Sequence, residues 1–362
     1  MRAAVCRTFG QPLVIEEVAL RDLHPTDVHV EIASCAVCHS DIHFAEGAWG
    51  GYLPAVFGHE AAGVVAAVGA EVSDVAVGDH VVVTLIRSCG TCEQCTRGNE
   101  VFCDASFASD ATRRLAGAAG EDVNAAMLCG AFAEEVIVDH SQVVTIPPDL
   151  DFDVAALLAC GVITGVGAVM NTSSITEGSD VIVIGAGGVG LNAIQGVAIA
   201  GARSVIALDL AAEKLAIARE FGATHAANPA NDDVASVIAE ATGGIDGVTH
   251  VLVTVGSKQA ILSALDYIVM GGEIVIVGMP ALNNEIELDP VDVAAYGYRV
   301  IGSKMGTSRI REDIPKLLGW YRDGRLKLDE LISATYDLDS INDAIEAVSD
   351  GDVIRNVVKM RD

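Results

Sequence analysis

The stretch Val181–Asp209, VIVIGAGGVGLNAIQGVAIAGARSVIALD, decides the reading of this chain. It opens on a short run of β-branched residues and turns through Gly185, Gly187, Gly188 and Gly190. Small and apolar residues suited to a helix follow, and a second apolar run, Ser204 to Leu208, ends on Asp209. Strand, G-x-G-x-x-G turn, helix and an acid about twenty residues on make a dinucleotide-binding pattern in the context it requires. Gly185 permits the tight turn, Gly187 lets backbone approach a pyrophosphate, and Gly190 lets helix and strand pack closely. The turn, Val189 included, feeds a helix N-terminus whose free N–H groups and partial positive charge suit phosphates. Asp209 can accept from both adenosine ribose hydroxyls and would repel a 2′-phosphate. The cofactor read from the residues is therefore NAD rather than NADP.

A membrane span is the rival reading, since Val181–Ala202 and Val154–Thr176 carry no charge and exceed the ~18 residues that raise that suspicion. Both are interrupted by glycines and by Asn, Gln, Ser or Thr, and neither has basic flanks or an aromatic belt. Buried parallel strands and the helices packed on them give such runs without lipid. No span is expected.

Length and charge set the outer bounds. The 362 residues suit two domains. The 22 basic and 50 acidic side chains give a net charge of −28, which argues against nucleic-acid or anionic-membrane partners. Such a balance is consistent with a heavily hydrated, salt-tolerant surface, and stability rising steadily with salt would support adaptation to a saline habitat. The first residues, MRAAVCRTFG, enter strand-like sequence directly rather than a charged-then-apolar leader. A cytoplasmic location is expected, and the nine cysteines then suit metal ligation better than disulfides.

Taken in order, residues 1 to 150 read as short Val-, Ile- and Ala-rich strands punctuated by Gly, Pro and Asp, a compact barrel-like domain. Beyond Asp153 a helical segment leads to the glycine turn, and strands and helices then alternate to Val277, a doubly wound parallel sheet. After residue 304 come amphipathic helices at Arg311–Asp323 and Ser340–Asp350 and a last strand, Asn356–Met360. The expected division is a catalytic domain over 1–161, a nucleotide-binding domain over 162–304, and a tail, 305–362, that rejoins the first.

Two groups of residues suit metal. Cys89, Cys92, Cys95 and Cys103 lie at spacings that let four thiolates close a tetrahedron around Zn²⁺. No coordination position is left open, so this zinc would be structural. Iron–sulfur ligation also uses four cysteines, but Gly90, Gly98 and the charged loop residues suit a zinc lobe. The second group is dispersed: Cys38 in AVCHSD, His59 in FGHE and a third ligand among Cys160, Cys35 and Cys129, between which the residues alone do not choose.

CHSD, GHE, the C-x2-C-x2-C-x7-C lobe and the Rossmann turn, in this order, resemble the zinc-dependent medium-chain alcohol dehydrogenases across essentially the whole chain. The resemblance implies an α/β fold: a β-rich GroES-like catalytic domain carrying the 89–103 lobe, joined to a Rossmann doubly wound parallel sheet. It implies two zincs per subunit, the catalytic one held by Cys38, His59 and Cys160. It implies a zinc-dependent oxidoreductase that activates a primary alcohol as the alkoxide and moves hydride between that alcohol, or its aldehyde, and NAD. Ser40 and His43 would relay the proton. Asp41 and Glu60 look like supporting carboxylates, Asp41 orienting His59. Lys214 resembles the family's adenosine-ribose lysine, and His39 and Arg355 its pyrophosphate contacts. Residues 272–304 resemble the region through which the family forms dimers, so a homodimer or homotetramer is expected.

The chain departs from the family's thiol-adduct branch, which oxidises hydroxymethylglutathione and carries an arginine shortly after the last lobe cysteine. Phe107 stands at that place, with Arg113 and Arg114 following. Trp49, Tyr52 and Phe107 would then give an apolar pocket wall. The alternatives to a plain alcohol dehydrogenase are a thiol-adduct formaldehyde dehydrogenase and a non-catalytic NAD-binding sensor.

Overall fold

The computed structural model describes residues 1–111, 114–351 and 353–361, with the Ala111 side chain excepted. The chain forms two units, Met1–Cys160 with Arg309–Gly319 and Leu328–Asp362, and Gly161–Ser308 with Trp320–Lys327. The tail thus returns to the first unit only in part. Trp320–Lys327 belongs to the second, where Gln195 bonds the Lys327 backbone through both amide atoms (2.7 and 3.1 Å).

In the first unit, five strands close a barrel in the order Arg2–Cys6, Val14–Leu20, Leu115–Gly117, Asp122–Ala125, Ala55–Val56. A larger sheet runs Val143–Thr145, His80–Thr84, Glu60–Val68, Asp27–Ala36, Arg355–Lys359, Ile332–Asp337, and Glu135–Asp139 also pairs with Asp27–Ala36. Alternation sets the faces of Asp27–Ala36: Val28, Val30 and Ile32 are buried, while Glu31 between them is exposed. The inward residues share one core with Val81, Val83 and Phe132.

Register in this sheet builds the site. Ala36 pairs with Glu60, so Cys38 just past one strand and His59 just before the other meet at the same end. Val357 also pairs antiparallel with Ala36, which brings Arg355 across from Cys38. Thr84 pairs with Glu60 from the other side.

The second unit is a six-stranded parallel sheet, ordered His225–Ala227, Ser204–Leu208, Asp180–Ile184, Val248–Val253, Ile268–Ile276, Arg299–Gly302. The order reverses direction at Asp180–Ile184, the topological switch point beside which nucleotides bind in doubly wound sheets. The uncharged Val181–Ala202 becomes that central strand and the helix Gly188–Ile199. Among the described residues one helix, Phe152–Thr172, is long and apolar enough to cross a membrane, and 89% of its apolar window is buried in the protein.

Candidate active site

A short helix, His39–Ala45, starts the site, and its capping decides where the donors point. Cys38 is the N-cap and Asp41 sits at the third position. Asp41, 1% exposed, accepts from the Cys38 N–H (3.0 Å), the Gly58 N–H (2.9 Å) and His59 Nδ1 (3.1 Å). One carboxylate thus ties the cap, the turn at Gly58 and the imidazole together. Because Nδ1 carries the hydrogen toward Asp41, the Nε2 lone pair faces the opposite way.

There it meets the other donors. One atom each from Cys38, His59, Glu60 and Cys160 lies within 4.8 Å of all the rest, and all four residues are buried. Cys160 arrives on a wide turn, Leu158–Val162, wound with i→i+5 geometry inside the long helix. Cys35 and Cys129, the other candidates for third ligand, are buried elsewhere in the core. Cys35 points at its neighbour's carbonyl (Ala36, 3.7 Å) and Cys129 receives Gln142 Nε2 (3.7 Å).

The cluster is electrically unfinished. A hydrogen bond from Cys160 pulls Cys38 well below the ordinary thiol value against its burial, with His59 and Arg355 assisting. The same bond, then burial, drives Cys160 well above it. Burial opposes charge on His59, yet Asp41 and Cys38 raise its pKa well above the usual imidazole value. Burial pushes Glu60 up to about 8, although Arg355 opposes it at 3.1 Å. His59 Nε2 and both Glu60 oxygens are buried without a hydrogen-bond partner among the described residues. Two thiol sulfurs, an imidazole lone pair and a carboxylate, converging on one point, fit a zinc ion.

The lobe fits a second. The sulfurs of Cys89, Cys92, Cys95 and Cys103 also lie within 4.8 Å of one another. Cys92 and Cys103 are 3.9 Å apart, close to the ~3.8 Å edge of a tetrahedron with zinc–sulfur bonds of about 2.3 Å. Backbone N–H groups turn toward the sulfurs: Cys92 to Cys89 (3.2 Å), Cys89 to Cys103 (3.3 Å) and Cys95 to Cys92 (3.5 Å).

Ser40 and His43 lie three apart on the helix that Cys38 caps, hence on one face. The His43 ring sits 5.0 Å from Trp49, and its Nδ1 is buried with no partner among the described residues. His39 is exposed at the helix start. Arg355 is buried, with its guanidinium on Glu60 and donating to the Val37 carbonyl (3.3 Å). The Arg355–Glu60 pairing has no signal in sequence spacing and comes from strand register alone.

In the second unit the glycines divide their work sterically. Gly185 has φ +98°, and a Cβ there would meet Val255 at 2.5 Å. A Cβ on Gly190 would stand 1.8 Å from the Gly185 carbonyl oxygen, whereas one on Gly187 would meet nothing within 4 Å. Gly187 caps the helix Gly188–Ile199, whose first N–H groups, at Gly188, Val189 and Gly190, have no acceptor within the helix. This open cradle fits a pyrophosphate. Asp209 pins the turn by accepting from the Ala186 N–H (2.7 Å) and the Ala211 N–H (3.0 Å). A carboxylate has about four acceptor positions, so capacity remains for ribose hydroxyls. Lys214 lies one turn into the next helix, Ala212–Glu220.

The loop after the lobe differs from a simple apolar wall. Phe107 is covered by the Arg87 guanidinium, 3.9 Å from its ring centroid. Trp49 packs edge-on to Phe44 (5.2 Å), and Tyr52 is exposed. The half-buried Arg114 lies 3.0 Å from the buried Asp27. Arg113 lies outside the described residues.

Comparison with known proteins places these features. Residues 24–148 match the alcohol dehydrogenase GroES-like domain family, and residues 188–323 match the zinc-binding dehydrogenase family. The chain is 35% identical over 373 residues to alcohol dehydrogenase B of Mycobacterium tuberculosis, covering 100% of this chain and 98% of that one. It is 34% identical over 371 residues to S-(hydroxymethyl)glutathione dehydrogenase of Paracoccus denitrificans, covering 99% of both. Benzyl alcohol dehydrogenase of Acinetobacter calcoaceticus superposes with a TM-score of 0.92 at 29% identity, with 99% of each chain covered.

Proposed function

This chain belongs to the zinc-dependent medium-chain alcohol dehydrogenase family, and from that premise we propose that it oxidises primary alcohols to aldehydes, reversibly, with NAD⁺ as hydride acceptor. It is an oxidoreductase whose GroES-like and Rossmann parts carry zinc and nicotinamide-nucleotide sites. The observation that carries the reading is the convergence of Cys38, His59 and Cys160 beside a helix that also bears Ser40 and His43.

Zinc bound there would supply Lewis acidity to the substrate oxygen. The protein's own groups do the remaining work. Asp41 fixes His59 in the tautomer that presents Nε2 to the donor cluster. Arg355 holds Glu60 at the edge of that cluster. Ser40 takes the proton of the substrate hydroxyl and hands it to His43, whose buried, unpartnered Nδ1 is ready to accept a further hydrogen bond. In the second unit, Asp209 selects a ribose with free hydroxyls and so prefers NAD.

The relative from Paracoccus favours a second reading, a thiol-adduct formaldehyde dehydrogenase. Two observations weigh against it. Phe107 occupies the position of that branch's arginine, and the Arg114 guanidinium is committed to Asp27. Strict dependence of turnover on glutathione would reverse the choice. Turnover of a panel of primary alcohols without thiol would support the first reading, and none with or without thiol would remove both.

A homodimer built through the second unit accords with its exposed apolar side chains, Met270, Met279, Leu282 and Val291, near the unpaired edge of Arg299–Gly302. Sedimentation as a monomer at micromolar concentration would contradict it.

A further inference from the structure

Arg87 lies outside the machinery described so far. Its side chain is 10% exposed, lies flat on Phe107 and touches Asp110 Oδ1 through Nη1 at 2.8 Å. Its Nε is buried with no acceptor among the described residues. Asp110 is 42% exposed along its side chain and sits on the loop that carries Phe107, whose N–H it accepts at 2.9 Å. A solvent-facing loop carboxylate therefore occupies one corner of a buried planar fork, and the neighbouring edge is left unsatisfied. Native proteins rarely bury a charged donor in that state.

A second buried guanidinium stands nearby. Arg114 is 12% exposed, and neither of its terminal nitrogens makes a hydrogen bond among the described residues, although one lies 3.0 Å from Asp27. Burial works against ionisation of Asp110, yet the Phe107 N–H and Arg87, with Arg114 behind, hold its carboxyl below the ordinary value. Arg87 is thus paired with an exchangeable anion, whereas Arg114 keeps the buried Asp27.

The strand that leads to Arg87 flanks the donor cluster. Arg87 follows Thr84 by three residues, and Thr84 is the register partner of Glu60. Its Cα is then at most about 11 Å from that of Thr84, and the bond from the Ile86 N–H to Thr84 Oγ1 (3.4 Å) folds the chain tighter. On a chain of net charge −28, the general field repels anions, so an anionic substrate needs a local cation. Guanidinium stacked on an aromatic face offers its in-plane edge to a planar two-oxygen acceptor.

We propose that Arg87 receives a carboxylate on the substrate, displacing Asp110, so that this dehydrogenase acts on carboxylate-bearing alcohols in preference to neutral alkanols. The inference rests on the dehydrogenase reading above. A glutathione adduct is the competing source of a carboxylate, and the experiment separates it from a hydroxy acid.

Rates with NAD⁺ are compared for hexanol, ω-hydroxyhexanoate, and formaldehyde with glutathione, in the wild type, Arg87→Gln and Asp110→Asn. Arg87→Gln should lower the kcat/KM preference for an anionic substrate over hexanol by about tenfold or more. Asp110→Asn, at an exposed loop position, should raise that preference about threefold or more by freeing the fork. A response confined to the glutathione adduct would overturn this inference in favour of the thiol-adduct reading. If Arg87→Gln does not fold, Asp110→Asn decides alone. A preference unchanged within about twofold in the variants, or wild-type turnover of hexanol only, overturns this inference and leaves the dehydrogenase reading standing. Turnover of none of the three overturns both.

Discussion

Alanine at Gly190 and at Gly187 should have opposite consequences, although the two sit three residues apart. At Gly190 the new Cβ would lie 1.8 Å from the Gly185 carbonyl oxygen, 2.7 Å from its carbon and 2.9 Å from Thr254 Oγ1. An ordinary carbon–oxygen approach is about 3.3 Å, so helix and turn must separate by about 1.5 Å. The turn cannot yield cheaply, because Thr254 Oγ1 donates to both the Ile184 and Gly185 carbonyls (2.9 and 3.1 Å). Overpacking of this kind costs about 3 kcal/mol, offset by about 1 kcal/mol from the better helix propensity of alanine. A net loss of about 2 kcal/mol should lower the urea midpoint by roughly 0.7 M for a slope of about 3 kcal/mol/M. At Gly187 the backbone is extended (φ −79°, ψ −170°) and the Cβ meets nothing, so stability should hold within about 0.5 kcal/mol. The methyl would instead stand where a pyrophosphate must approach, and NADH affinity, read by fluorescence titration, should fall at least about tenfold, or 1.4 kcal/mol. Normal NADH affinity in Gly187→Ala would refute the cradle. An unshifted urea midpoint in Gly190→Ala would refute the packing argument.

Other perturbations probe separate parts of the account. Asp41→Asn can keep the bonds from Gly58 and His59 only by facing its amide at the Cys38 N–H. Zinc affinity at the catalytic cluster should drop about 10- to 100-fold, measured as metal retained against a chelator, and undiminished retention would sink the assignment. Asp209→Ser should shift the NAD-to-NADP preference toward NADP and loosen the turn at Ala186, whereas an unchanged ratio would remove Asp209 from the ribose. Burial holds His250 below the ordinary imidazole value, with Arg299 adding to the effect and Glu273 opposing it. The unfolded chain therefore takes up the proton first as pH falls. The stability from a neutral His250 is complete above about pH 6.5 and declines as pH drops toward the folded value. The urea midpoint should fall more between pH 7 and about 5.5 in the wild type than in His250→Gln; equal falls would show that another group is responsible.

What the sequence made legible follows from how local each signal is. The glycine turn and the 89–103 lobe are continuous in the chain, so spacing alone announces them. The barrel strands Ala55–Val56, Leu115–Gly117 and Asp122–Ala125 are two to four residues long, too short for alternation to register above loop sequence. Cys160 could not be separated from Cys35 and Cys129 because all three lie in apolar surroundings. Only the wide turn at Leu158–Val162 and the register of three strands bring Cys160 to Cys38 and His59. Phe107 reads as a bare apolar wall because its partner, Arg87, lies on the far side of the lobe in sequence. The strand Ile332–Asp337, half-buried in strict alternation, and the helix Pro290–Tyr296, with no buried residue, lacked the apolar contrast that sequence patterning detects.

The most direct test is zinc content per subunit, measured with NAD⁺ reduction by primary alcohols on the same preparation. Two zincs, turnover without added thiol, and loss of both one zinc and turnover in Cys38→Ala are the predicted result. One zinc, confined to the lobe, with no turnover under any condition would contradict the central claim that Cys38, His59 and Cys160 form a catalytic metal site.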